Sequence, residues 1–194
     1  MANKTIPTTA PSLGDRYAEL TVILLTAIAL IAGWVFKSSV ENRSVPFESM
    51  GISAQVPAGW RQIQTEDELL HASDRFATGF GTTYLITEIP IASGAEPGQV
   101  ASSLNLKRAQ ELDSYRILSQ EAVNVGGREA FKTSYVFVVS DPNVVRDVLP
   151  KVALGADYIF MDEGKAVAVT YWASQENYEA DFARFYRFLS TVKF

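Results

Sequence analysis

The sequence predicts an α+β domain, a mostly antiparallel sheet with helices packed on it, preceded by one transmembrane helix. Three observations carry this prediction. A run of 17 residues from Leu20 to Phe36 is apolar apart from two threonines. From Phe47 onward apolar and polar residues mostly alternate, which is the period of strands with one buried face. The helical stretches follow groups of strands instead of alternating with them singly, which argues against a parallel, doubly wound sheet.

The apolar run, LTVILLTAIALIAGWVF, spans roughly 25 Å at a rise of about 1.5 Å per residue, the short end of what a bilayer core requires. Tyr17 and Trp34 stand where interfacial aromatics anchor a helix, and Arg16 and Lys37 can reach outward to water. A cleaved signal peptide calls for a shorter apolar core and a small-x-small site, yet this run ends in Trp34, Val35 and Phe36. The reading is a retained anchor that holds the chain in the membrane through residues 20–36. Gly33 and the alanines read equally as lipid-facing small residues or as a face for close packing against another membrane helix.

Around that helix the chain divides into four parts. Residues 1–16, rich in Thr, Pro, Ala and Ser without apolar periodicity, read as a flexible tail. Residues 17–37 form the transmembrane helix, 38–46 a polar tether, and 47–194 the domain. The basic residues flanking the helix tie, Lys4 and Arg16 against Lys37 and Arg43, so the positive-inside rule does not orient it. A short tail before a first apolar segment and a large domain after it is the usual signal-anchor layout. That layout puts the amino end in the cytoplasm and the domain outside it.

Within the domain, Ile52, Ala54 and Val56 alternate with polar neighbours until Pro57 and Gly59 close the strand before Trp60. TTYLITEIP, residues 82–90, alternates again. After the break SGAEPG, residues 97–112 are helical by composition, with Pro97 in the first turn and a narrow stripe of Val100, Leu104 and Leu112. RILSQEAVNV and REAFKTSYVFVVS flank Gly126 and Gly127, a hairpin signal because the tight turn needs positive φ at both positions. ADYIFM and KAVAVTYWAS form a second hairpin across Asp162, Glu163 and Gly164. NYEADFARFYRFL places Tyr178, Phe182, Phe185 and Leu189 on one helical face, an aromatic stripe read as core. STVKF reads as a last short strand.

Composition narrows function by exclusion. The 194-residue chain has no cysteine, one histidine and a net charge of −5, and the first 49 residues are charge-balanced, so the deficit lies in the domain. An acidic domain without a basic run has no footprint for phosphate backbones, so nucleic acid is not an expected partner. Without cysteine there is no disulfide framework, thiolate metal site or cysteine nucleophile. A lone imidazole, His71, excludes two-histidine metal sites. His71 lies in DELLHASD beside Glu66, Asp67, Glu68 and Asp74, a cluster read as a solvated acidic loop in preference to a hard-cation site. No catalytic residue, cofactor or metal is expected.

The stretch SDPNVVRDVLPKVALGA, residues 140–156, is an apolar run bounded by prolines between two strands. It reads either as a short core-packing helix or as a docking loop presenting Val144, Val145, Val148 and Leu149. With Gly33 and Trp34 of the membrane helix, these are the candidate contact residues.

The strand running into Pro57-Ala58-Gly59-Trp60, the ILSQEAVNVGGREAFKTSYVF hairpin, and the YIFMDEGKAVAVTYWA hairpin before FARFYRFLSTVKF resemble the PsbP-like domains over roughly residues 47–194. That family includes the extrinsic photosystem II protein, its bacterial relatives and the Ran-binding Mog proteins. The resemblance implies an α-β-α sandwich and a non-enzymatic module that docks on, assembles or stabilises a larger membrane complex, bioenergetic by analogy. It transfers no binding residue. The membrane helix departs from the plant proteins, which are soluble lumenal subunits. The leading expectation is an accessory subunit whose partners are the integral subunits of such a complex. The alternatives are a membrane-tethered extracytoplasmic ligand-binding or sensory domain, and a hydrolase built on His71.

Overall fold

A computed structural model describes residues 13–194, apart from 42, 64, 66, 78–79 and 141–149. The chain divides between Arg43 and Ser44 into two units.

The first unit is helix α1, Leu13–Glu41. It is long and apolar enough to cross a membrane, and no part of its Leu20–Lys37 window is buried within the chain. Its two threonines satisfy their hydroxyls internally, Thr21 on the Tyr17 carbonyl and Thr26 on the Val22 carbonyl, both at 2.8 Å. That is the arrangement apolar surroundings demand of a polar side chain. The helix begins and ends about four residues outside the expected 17–37. The sequence from Lys37 to Glu41 holds no glycine or proline to stop it, so the tether expected over 38–46 is largely helical at its start and β-strand at its end.

The second unit opens with a hairpin, β1 (Ser44–Ser49) and β2 (Ile52–Pro57), turning through Met50 and Gly51 at positive φ. A seven-stranded antiparallel sheet follows, in the order β3-β4-β5-β9-β8-β7-β6. Its strands are β3 (Arg61–Ile63), β4 (Leu70–Ser73), β5 (Thr83–Pro90), β6 (Asp113–Val125), β7 (Arg128–Val139), β8 (Lys151–Asp162) and β9 (Lys165–Ser174). Helix α2 (Pro97–Glu111) packs on one face, against β6, β7 and β8. Helix α3 (Tyr178–Thr191) covers the other, against β9 and the β1–β2 hairpin. The domain is therefore the expected α+β, α-β-α sandwich.

The elements form where the residue chemistry directs. Gly126 and Gly127 both sit at positive φ in the β6–β7 turn, with Asn124 accepting a bond from the Gly127 N–H at 2.9 Å. Pro97 opens α2, and Glu96 and Gln99 satisfy each other's backbone N–H groups in a capping box. The α3 stripe is core, as read: Phe185 and Leu189 are fully buried, and Tyr178 and Phe182 pack against the same cluster. Tyr84 lies at its centre, stacked on Phe188 at 4.7 Å between ring centroids and against Trp60 at 4.5 Å.

Three expectations need correction. The tail STVKF is not a strand. α3 runs to Thr191, and only a single bridge pairs Ser53 with Lys193, because the helix's apolar stripe carries its hydrogen bonding almost to the end. The DELLHASD segment, residues 67–74, is not wholly loop, since Leu70–Ser73 alternate buried and half-buried as β4. In the 140–156 stretch, Val152 and Leu154 belong to β8, which starts at Lys151 and pairs with β7 from Lys151 to Ile159. Val144, Val145, Val148 and Leu149 lie outside the described residues, as does the tail up to residue 12.

One close approach fixes the sheet locally. A Cβ on Gly155 would meet the Tyr135 ring at 2.2 Å, so the buried ring lies directly over the glycine. Gly155→Ala is expected to cost about 1–3 kcal/mol, the range for overpacking a filled core, seen as a lowered urea midpoint. A variant as stable as the parent would show that the ring can move at no cost.

Candidate functional site

Beneath α2, one row of residues across the sheet runs through His71 of β4, Leu85 of β5, Thr170 of β9, Asp157 of β8 and Thr133 of β7. Most of the row is polar. Strand alternation turns these side chains toward α2, while their neighbours Ala156, Tyr158, Val169 and Tyr171 face the aromatic core under α3. Asp157, Thr170 and Thr133 are completely buried.

A buried carboxylate must be matched, and Arg108 of α2 does this through an intermediary. Its Nη2 donates to Thr170 Oγ1 at 3.0 Å, and that hydroxyl donates to Asp157 Oδ1 at 2.5 Å. The direct Arg108–Asp157 separation is 3.7 Å, so the cation acts on the carboxylate by charge while the hydroxyl supplies the hydrogen bond. From the other side, Trp172 Nε1 donates to Tyr135 Oη at 2.6 Å, and Tyr135 donates to the same Asp157 oxygen at 3.1 Å. The guanidinium also lies over the Trp172 ring at 4.9 Å. Burial, and then the charge of Asp157, push the Tyr135 phenol well above its ordinary range, so it remains a donor. Burial acts to lower Arg108, but Asp157, Tyr135 and Glu111 outweigh it and hold the cation charged.

Arg108 also borders a surface cleft of about 560 Å³ between α2 and the β4 side of the sheet, lined by Thr65, Asp67, Glu68, His71, Thr87, Leu104, Lys107 and Glu111 besides. Here His71 Nδ1–H donates to Glu68 Oε2 at 2.9 Å, since an ionised carboxylate can only accept. That bond is the main reason the Glu68 carboxyl is lowered, with partial burial opposing it and Thr65 and Arg108 assisting. Lys107 bridges Asp67 at 3.0 Å and Glu111 at 3.7 Å across the mouth. A carboxylate-oriented imidazole can hold and pass a proton. For nucleophilic chemistry it also needs an activated hydroxyl; the lining offers Thr65, whose hydroxyl bonds Glu68 at 3.2 Å, and Thr87.

A second groove, of about 650 Å³, lies at the β6–β7 turn end and is largely apolar, with Phe131, Ile159, Met161 and Phe194 in its walls. Arg128 stands in it between the Phe160 and Phe194 rings, 4.8 and 4.7 Å away, and donates to the Val192 carbonyl at 2.7 Å.

The structure thus joins His71 and Glu68 of the DELLHASD cluster, while among the described residues no three carboxylate or histidine groups converge as metal ligands. Gly33 and Trp34 lie on the exposed face of α1, Trp34 70% exposed, and an added Cβ at Gly33 would touch nothing within 4 Å. Sequence reading missed Arg108 and Asp157. Their signal was phase: position 108 extends the Val100–Leu104 stripe by one more turn, and position 157 falls two before Ile159 on the same strand face.

No protein family matches the sequence, and no curated protein matches it. Solved structures do resemble it. The solution structure of cyanobacterial PsbP (CyanoP) from Synechocystis matches at 12% identity over 78% of this chain and 92% of its own, with a TM-score of 0.56. LpqN, involved in cell envelope biogenesis of Mycobacterium tuberculosis, matches at 10% identity over 77% and 89%, with a TM-score of 0.51. The Saccharomyces cerevisiae Ran-binding protein Mog1p matches at 10% identity over 76% and 91%, with a TM-score of 0.47. The fold is PsbP-like, as the resemblance implied.

Two predictions follow from the row and the cleft. Arg108→Met or Asp157→Leu alone should each cost about 3–5 kcal/mol in urea unfolding, because each leaves a buried charge without its match. The double variant should cost clearly less than the sum, and additive losses would mean that the pair is not coupled. Glu68→Ala tests the cleft. A carboxyl lowered by folding stabilises the protein fully above its ordinary value of 4.5 and progressively less as pH falls through the lowered value. The variant should therefore be about 1 kcal/mol less stable than the parent near pH 7. The gap should close below pH 4.5, and a gap unchanged across that range would remove the Glu68–His71 bond as its cause.

Proposed function

We propose that this chain is a non-enzymatic, membrane-anchored accessory subunit that assembles with or stabilises the integral subunits of a larger membrane complex, of bioenergetic type. The observation that carries the reading is the fully exposed apolar window Leu20–Lys37 on a chain whose domain has the PsbP-like fold. An apolar helix of this length needs lipid or partner helices around it. Where Gly33 gives a smooth face, a neighbouring helix can approach closely. CyanoP supports the fold but, at 12% identity, not the partner. In this reading α1 is retained, its amino end is cytoplasmic and the domain is extracytoplasmic.

A second reading, a tethered ligand-binding domain, draws support from the cleft of about 560 Å³ with Glu68, His71, Lys107 and Arg108 around it. It predicts small-molecule binding by a chain that needs no partner.

The test is purification of the tagged full chain in mild detergent. Integral membrane proteins are expected in stoichiometric amount, and Gly33→Leu, which meets no obstacle within the helix, should reduce their recovery at least severalfold. Recovery of the chain free of any other protein would end the accessory-subunit reading.

A further inference from the structure

The seven-stranded sheet has two unlike edges. β3 closes one with only three residues, whereas β6 leaves 13 residues along the other. Among the described residues the outer backbone groups of β6 have no strand or loop partner. All of its side chains are exposed except Tyr115, Val123 and Val125. Ile117 and Leu118, 40% and 57% exposed, are apolar residues on that open edge. Proteins avoid long open edges of this kind unless something pairs with them.

The charges on β6 select the partner. Its only charged residues are Asp113, Arg116 and Glu121. Arg116 makes no ion pair among the described residues, while Glu121 meets Lys132 at 3.1 Å and keeps half its surface exposed. In a regular strand, residues five apart point to opposite faces. Here the register shift between Ile117 and Ser119 changes that: Arg116 pairs with Val136 and Glu121 with Lys132, both on the α3 side of the sheet, while Ile117 and Gln120 share the α2 side. A bulge on an edge strand commonly serves to block pairing. In this strand it brings Arg116 and Glu121 onto one face.

We propose that β6 pairs antiparallel with β6 of a second copy about a two-fold axis between Leu118 and Ser119. In that register Arg116 stands opposite the copy's Glu121 and the reverse, Ile117 opposite its Gln120, and Leu118 opposite its Ser119. The Arg116–Glu121 pair shares one face and the Ile117–Gln120 pair the other, as an antiparallel ladder requires. No other two-fold register places Arg116 opposite the copy's Glu121. The contact is isologous, so it closes at two copies and joins the two sheets edge to edge. It rests on β6 alone and is independent of the accessory-subunit reading.

The cysteine-free chain makes the register directly testable. Full-length protein carrying Arg116→Cys and Glu121→Cys together, reconstituted in phosphatidylcholine vesicles and oxidised, should run mostly as a disulfide dimer. Either substitution alone should give less than about a tenth as much, because like positions lie roughly 16 Å apart along the ladder. Arg116→Glu should weaken self-association about tenfold, and adding Glu121→Arg should restore it. Gly33→Leu should leave the cross-link in place. The proposal is overturned if the double variant does not cross-link, if either single variant does so equally well, or if Gly33→Leu abolishes the dimer and so assigns it to α1.

Discussion

Asp157 has no contact with water and sits within the sheet, and the α2 side of the domain is organised around giving its carboxyl group partners. A lone buried carboxylate is too costly to persist, so its neighbours are constrained. Thr170 and Tyr135 must present hydroxyls to one oxygen, which fixes the rotamer of each. Tyr135 can lie flat enough to do so only because Gly155, its partner on β8, has no Cβ. Arg108 must arrive from above, which fixes how α2 lies over the strands. Replacing such a pair by apolar residues is often neutral or stabilising, so the arrangement is better understood as specifying where α2 docks than as adding stability.

The stability comes from the other face. The same strands that offer Asp157 and Thr170 to α2 offer Tyr158, Val169 and Tyr171 to α3, where Phe185, Phe188 and Leu189 complete an apolar cluster with Tyr84. Burying each such side chain is worth about 1.5–3 kcal/mol, and the stacked rings add specificity of geometry. The aromatic face can therefore offset a polar one. The terminal residues strengthen this side further, since Ser53 and Lys193 exchange both backbone bonds at 2.9 Å and lock the β1–β2 hairpin to the end of α3.

What could be read from the sequence divides along the same line. The α3 face was legible, because aromatic residues at helical spacing and a Gly126–Gly127 turn have few physical outcomes. The α2 face was not, because an arginine in a helix and an aspartate in a strand are ordinarily solvated, and only their phase with Val100, Leu104 and Ile159 marks them as interior. β1 was missed for a different reason: SVPFES buries only Phe47, so its burial gives no alternation to detect. Short β4 owes its existence to pairing with β5, and β3 to pairing with β4, more than to their own residues. The cleft required knowing that β4 exists, since His71 faces α2 only as part of that strand.

Arg108 links the buried row to the surface. Its cation is matched to Asp157 inside, lies 3.6 Å from Glu111 at the cleft, and helps lower the Glu68 carboxyl. A charge this enclosed acts through low-dielectric surroundings and is felt more strongly than an exposed one at equal distance. The acidity of the cleft is therefore set partly by a residue whose position is dictated by the sheet. The converse also holds: any change in charge within the cleft is felt at the guanidinium that seats α2. Sheet, helix and cleft form one electrostatic unit, to which the exposed strand β6 contributes no charge.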